Sequence, residues 1–169
     1  MTKQTLDDVL THELKDLYSA ENQLIKNLPK LAKASESRDL RQAFEHHLQQ
    51  TRTHVQRIEE ICRDLNVKPG GKKCVGMEGL IEEGKEVLQE DMDTEPMDAA
   101  LIGAAQKVEH YEIAAYGTAR AHAKQLGYMK AVDLLGQTLD EEKQTDEKLT
   151  ELAENRVNVQ AAMSNGGKD

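Results

Sequence analysis

Two carboxylates one helical turn apart, Glu109 and Glu112, interrupt a stripe that is otherwise small or apolar. The stripe reads Ile102, Ala105, Glu109, Glu112, Tyr116, Ala119, Ala123, Leu126, in alternating steps of three and four that keep one helical face in view. A carboxylate on a core-facing stripe is costly unless a proton, a cation or a metal compensates it. Three further stripes carry polar groups in their middles. Glu21 is the one charge among Leu10, Leu14, Leu17, Leu24, Leu28 and Leu31. His47, Thr51 and His54 stand between Leu40 and Phe44 on one side and Ile58, Ile61 and Leu65 on the other. Glu142 and Thr145 interrupt Ala131, Leu135, Leu149 and Leu152. Four carboxylates and two imidazoles, flanked by Gln50 and Asp146, have the content of a dinuclear site, and iron or manganese accepts such a mixed oxygen and nitrogen set.

These residues need four long helices to bring them together. Segment A runs from about Thr5 to Ala34, with Asp7 and Asp8 in an acidic start and Pro29 expected to kink or unwind its last turns. Segment B follows a tight turn at 34–39, capped by Ser35 or Ser37. Pro69-Gly70-Gly71 marks a loop, and Cys74 to Glu90 predicts a short helix, weakened by glycines, inside a long crossover. Thr94 is the expected cap of segment C, which ends at Gly127; segment D spans Tyr128 to about Asn158. The reading is all-α: a single domain over 1–160, with 161–169 expected to fray. Two helical hairpins joined by one crossover make a four-helix bundle.

Hairpin geometry sets the depth of the polar residues. With the A/B turn centred near Glu36, Glu21 and Thr51 are each 15 residues from it. With the C/D turn at Gly127, Glu112 and Glu142 are each 15 residues away, and Glu109 faces Thr145 with Asp146 beside it. Each hairpin therefore carries its polar layer ~22 Å from its turn, at 1.5 Å per residue.

Composition removes several alternatives. Of 169 residues 31% are charged and 3% aromatic, with no Trp, which suits long helices rather than sheets. A net charge of −9 disfavours nucleic acid or an anionic membrane as partner. No run is apolar enough to span a bilayer, and the start reads as polar helix rather than a secretory signal. With only Cys62 and Cys74, the expectation is a reduced, cytoplasmic protein. His12, His46, His110 and His122 fall off the stripes and read as surface residues. Glu45, Glu59, Glu60 and the pair Asp140-Glu141 read as solvated faces. Neither cysteine has an evident catalytic pairing, and Tyr116 either fills space or bonds a carboxylate.

Four runs carry a family resemblance: Asp16 to Leu24, Cys74 to Glu83, Ala104 to Gly117 and Thr138 to Lys143. Through them the chain resembles, over nearly its whole length, the stress-induced YciF family of bacterial ferritin-like proteins. The resemblance implies a ferritin-like bundle, a homodimer and a role in bacterial stress response. The wider superfamily places one Glu on each of two helices and Glu-x-x-His on the other two. Glu21 matches the first lone Glu, and Glu109 or Glu112 the second. The second helix reads Thr51-Arg-Thr-His54 and the fourth Glu142-Lys-Gln-Thr145, so one Glu and one His are displaced. The extra carboxylate on segment C and His47 restore the total. Two functions stand against each other: a dinuclear site acting on oxygen or peroxide, and a non-catalytic dimeric scaffold that kept the bundle after its metal site decayed. Cage-type iron storage is a third, weaker reading.

Overall fold

The structure is a computed structural model and describes residues 5–164. Helix α1 (Leu6–Ala34) begins in a capping box. The Asp8 N–H donates to Thr5 Oγ1 at 3.1 Å, and the Thr5 N–H returns a bond to Asp8 Oδ2 at 3.1 Å. Pro29 lies inside the helix, which continues to Ala34 rather than unwinding after it. Ser37 caps α2 (Arg38–Asp64), while Ser35 closes the end of α1. The crossover carries α3 (Val75–Gln89), a full 15-residue helix despite its three glycines. Helix α4 (Thr94–Gln125) is capped by Asp93, one residue before the expected Thr94, without a side-chain bond.

Gly127, with φ 76°, makes the left-handed turn into α5 (Met129–Leu152). A π-turn over Ala153–Val157 then leads into α6 (Asn158–Ser164). Segment D therefore does not run as plain α-helix to Asn158, and helical backbone extends past the expected fraying point at Ala161. Residues 165–169 lie outside the described ones.

The bundle's two turns sit at opposite ends. The α1–α2 turn is held by Asp98, in the second turn of α4: the N–H groups of Glu36 and Ser37 donate to its two carboxylate oxygens at 2.9 and 2.7 Å. Helix α4 thus starts where α1 ends and descends towards the start of α1. Helix α2 packs on α1 and α5, α4 on α1 and α5, and α3 leans on α4 and α1.

The bundle interior divides in two. Leu24, Leu28, Leu40, Phe44, Leu101 and Ile102 belong to one apolar cluster, and Leu10, Leu14, Leu17, Ile58, Ile61 and Leu135 to another. Each such fully buried side chain contributes roughly 1.5–3 kcal/mol relative to exposure. Between the clusters lie the polar interruptions, each about midway along its helix. That is why two hairpins pointing in opposite directions still bring their polar residues to one level.

Candidate metal centre

Six ionisable side chains from four helices meet in that layer: Glu21 from α1, His47 and His54 from α2, Glu109 and Glu112 from α4, and Glu142 from α5. All are buried. Their positions follow from helical spacing: His47, Thr51 and His54 occupy successive turns of one face, as do Glu109, Glu112 and Tyr116. Thr51 carries no ligand function here. It is buried and turns its hydroxyl back to donate to the His47 carbonyl at 2.8 Å.

The side chains fall into two groups close enough to share a cation. His47, Glu109, Glu112 and Glu142 form one, with donor atoms all within 4.8 Å of one another; Glu21, His54 and Glu142 form the other. Glu142 belongs to both. In the first group, His47 Nε2 is 3.0 Å from Glu109 Oε1 and 3.9 Å from Glu142 Oε2. In the second, His54 Nδ1 lies 3.1 Å from Glu21 Oε1 and 2.9 Å from Glu142 Oε1. The Tyr116 hydroxyl donates to Glu21 Oε1 at 2.5 Å.

The layer is short of hydrogen-bond partners. Among the described residues, the buried side-chain atoms that make no hydrogen bond are Glu21 Oε2, Glu109 Oε2, His47 Nε2 and both oxygens of Glu112 and Glu142; of these, His47 Nε2 and Glu142 Oε1 still have the ion-pair contacts given above, with Glu109 and His54. Every one of them belongs to this layer. An unsatisfied buried polar group costs ~1–3 kcal/mol, more if charged, and a domain's whole stability is ~5–15 kcal/mol. The atoms facing one another here need protons or cations between them. Carboxylate oxygens and imidazole nitrogens, converging from four helices, make a donor set that could hold a metal ion.

Electrostatics points the same way. Burial, and then the neighbouring carboxylates, push Glu112 and Glu142 well above the usual carboxylate range. Burial raises Glu109 to about 7. Glu21 moves down instead: burial opposes its charge, but His54 and the Tyr116 hydroxyl together outweigh it. For His54, burial opposes the cation, and Glu141, Glu142 and Glu21 overcome it, lifting it to about 12.

Glu141 is therefore no simple solvated face. Its Oε2 lies 2.8 Å from His54 Nε2, and Arg57 grips both its oxygens at 2.6 and 2.9 Å. Burial opposes ionisation of Glu141, yet Arg57 and His54 bring it down to about 2. One His54 nitrogen thus faces a charged, anchored carboxylate while the other faces the cluster, an arrangement that fixes the orientation of a metal-binding imidazole. His54 and Arg57, three apart, share a helix face, but nothing along the chain pairs them with Glu141.

The two flanking residues stand apart from the cluster. Asp146 turns outward, its carboxylate 3.1 Å from His110 Nε2 and 3.3 Å from Gln106 Nε2. Gln50 accepts a 3.4 Å bond from the Thr145 hydroxyl, which also lies 3.4 Å from His47 Nδ1. His110 is exposed; His122 is half-buried and pairs with Glu13 at 2.9 Å.

A second polar cluster lies outside the layer. The Cys74 thiol approaches Asp16 Oδ2 at 3.2 Å and the Tyr111 hydroxyl at 3.0 Å, and Tyr111 donates to the same Asp16 oxygen at 3.1 Å. Burial raises the Cys74 thiol, which favours its protonated form. This cluster fastens the start of α3 to α1 and α4.

A family model described as a domain of unknown function, DUF892, matches residues 5–162. Protein YciF of Escherichia coli strain K12 is 53% identical over 162 residues, which are 95% of this chain and 98% of YciF. The crystal structure of that E. coli stress protein superposes with a TM-score of 0.89 at 54% identity, over 92% of this chain and 99% of the other. A structure from Rhodopseudomonas palustris, YcfI, which is described as a candidate structural protein, gives 0.85 at 42% identity over 87% and 94%.

Proposed function

The chain belongs to the DUF892 family, and from that membership we propose that it is a ferritin-like stress-response protein whose core layer holds two iron or manganese ions. The reading rests on one observation above others: the buried polar atoms that make no hydrogen bond, both oxygens of Glu112 among them, all belong to two ligand groups that share Glu142. Glu109, Glu112 and His47 would hold one ion, Glu21 and His54 the other, with Glu142 between them. Such a pair, when bound, supplies electrons to oxygen or peroxide. The chain's part is to keep the layer dry between two apolar clusters, to hold His54 in place through Glu141 and Arg57, and to keep the Tyr116 hydroxyl donating to Glu21. We take the unit to be a homodimer, as the family resemblance implies, and the cysteine content to be that of a cytoplasmic protein; no described helix is long and apolar enough to cross a membrane.

The test is anaerobic reconstitution followed by elemental analysis. Two ions per chain are expected, with both positions weakened in Glu142→Ala because it serves both groups. An absence of stoichiometric iron or manganese uptake removes the metal reading.

A non-catalytic scaffold is the second reading. Thr51 and Thr145 favour it, since they stand where the superfamily pattern has Glu and His. The direct contacts of His54 with Glu21 and Glu142 also neutralise part of the layer without any ion. On this reading, Glu112→Gln stabilises the chain and added metal leaves both parent and variant unchanged.

A further inference from the structure

A groove of about 560 Å³ opens between α2 and α5. Directly inside it lies a second cavity of about 20 Å³ that touches His47 and Glu109. Ala43, Thr145 and Leu149 line both spaces, so these three side chains form the partition between surface and core. Thr145 is the polar member. Its hydroxyl sits within 3.4 Å of both Gln50, on the groove side, and His47, on the core side. Thr145, with Ala43 and Leu149 beside it, separates the outside from the His47 end of the candidate metal centre.

The inner cavity also sets a size limit. Holding one water-sized species takes ~10–15 Å³, so this space admits one such body and no organic substrate. Its walls are mainly apolar, with Leu24, Leu28, Phe44, Ala105 and Val108 among them; Leu24, Leu28, Leu31 and Val108 also line an apolar groove between α1, α3 and α4, but only the α2–α5 wall carries a polar group, Thr145. His47, Glu109 and Thr145 are the inner cavity's polar members and can hold one water; the other eight lining residues are apolar, a surround that also suits a small neutral molecule without donors.

We propose that the α2–α5 seam is the entry path to the His47–Glu109 end of the centre, gated by Thr145 and Ala43, and that the species it admits is a neutral diatomic of dioxygen's class. The assignment of a metal at the inner end rests on the function proposed above; the path itself rests on the two cavities and their shared wall.

Dissolved dioxygen is paramagnetic, so the path can be tested in the metal-free protein by methyl relaxation in NMR. The methyl of Ala105, which lines the inner cavity and neither groove, is expected to relax more strongly under oxygen than those of Ala119 and Ala123 in the opposite cluster. Thr145→Leu and Ala43→Leu, which fill the partition from α5 and α2 respectively, are each expected to remove that excess. In protein loaded with ferrous iron, the same variants should bind the same amount of metal and oxidise roughly tenfold more slowly. Equal relaxation in the two clusters of the parent overturns the path. So does an excess that survives in both variants, or an oxidation rate unchanged in both. If the parent takes up no metal, the metal reading fails on that result alone, while the relaxation measurement still decides the path.

Discussion

At the scale of single residues, the layer is a problem of unpaired charge that two side chains outside it help to solve. Glu141 has no place in either ligand group, yet it contacts His54 and is itself clamped by Arg57. Its removal should loosen His54 without deleting a ligand. Glu141→Gln is expected to weaken metal binding ~10–100-fold while the stoichiometry at saturation is kept. Isothermal titration of metal into the anaerobic apoprotein checks this; an unchanged affinity means that His54 is oriented by something else. The seam residues were legible in the sequence because a charge in a leucine stripe is a local anomaly. Glu141 and Arg57 were not, because an Arg and a Glu just off a seam look the same whether they meet across helices or face water.

At the scale of elements, periodicity showed the four long helices and the crossover helix. It failed where the backbone departs from ideal α geometry or where a distant group completes a turn. Nothing in Ala153–Val157 announces a π-turn, and Pro29 reads as a breaker although packing carries the helix past it to Ala34. The crossover's fit is similarly non-local: a Cβ at Gly76 would come within 2.6 Å of the Tyr111 ring, a close approach invisible along the chain. Asp98 is the clearest case. It lies 61 or 62 residues from the backbone groups it satisfies, at the α1–α2 turn. Asp98→Ala leaves both N–H groups without their acceptor and is expected to cost ~1–3 kcal/mol. Urea unfolding checks this, and metal uptake by the folded variant should match the parent, since the turn is remote from the layer.

At the scale of the whole molecule, the buried layer couples folding to pH. Glu109, Glu112 and Glu142 lie above the ordinary value of 4.5 in the folded state. Above that pH the folded chain therefore holds more protons than the unfolded one, and stability falls as pH rises, through about 7 for Glu109. His54 acts in the same direction. Its contribution is complete below its ordinary 6.5 and is lost as pH climbs towards about 12. Glu21 and Glu141 act oppositely: their contribution is present above 4.5 and lost as pH falls, towards about 2 for Glu141. The metal-free chain is thus expected to lose Tm between about pH 5 and about pH 8. Bound metal displaces the protons, so the rise in Tm on adding metal should be larger at the higher pH. A metal-free Tm that climbs steadily over this interval would contradict the assignment of protons to the layer.

The central claim is that cations, not protons alone, belong among Glu21, His47, His54, Glu109, Glu112 and Glu142. Anomalous diffraction from crystals grown with ferrous iron or manganese, collected on both sides of the metal's absorption edge, tests it most directly. Two edge-specific peaks are predicted in the layer, one beside His47 and one beside His54, both in contact with Glu142. A layer free of anomalous signal, or metal found only on the acidic surface, would contradict it.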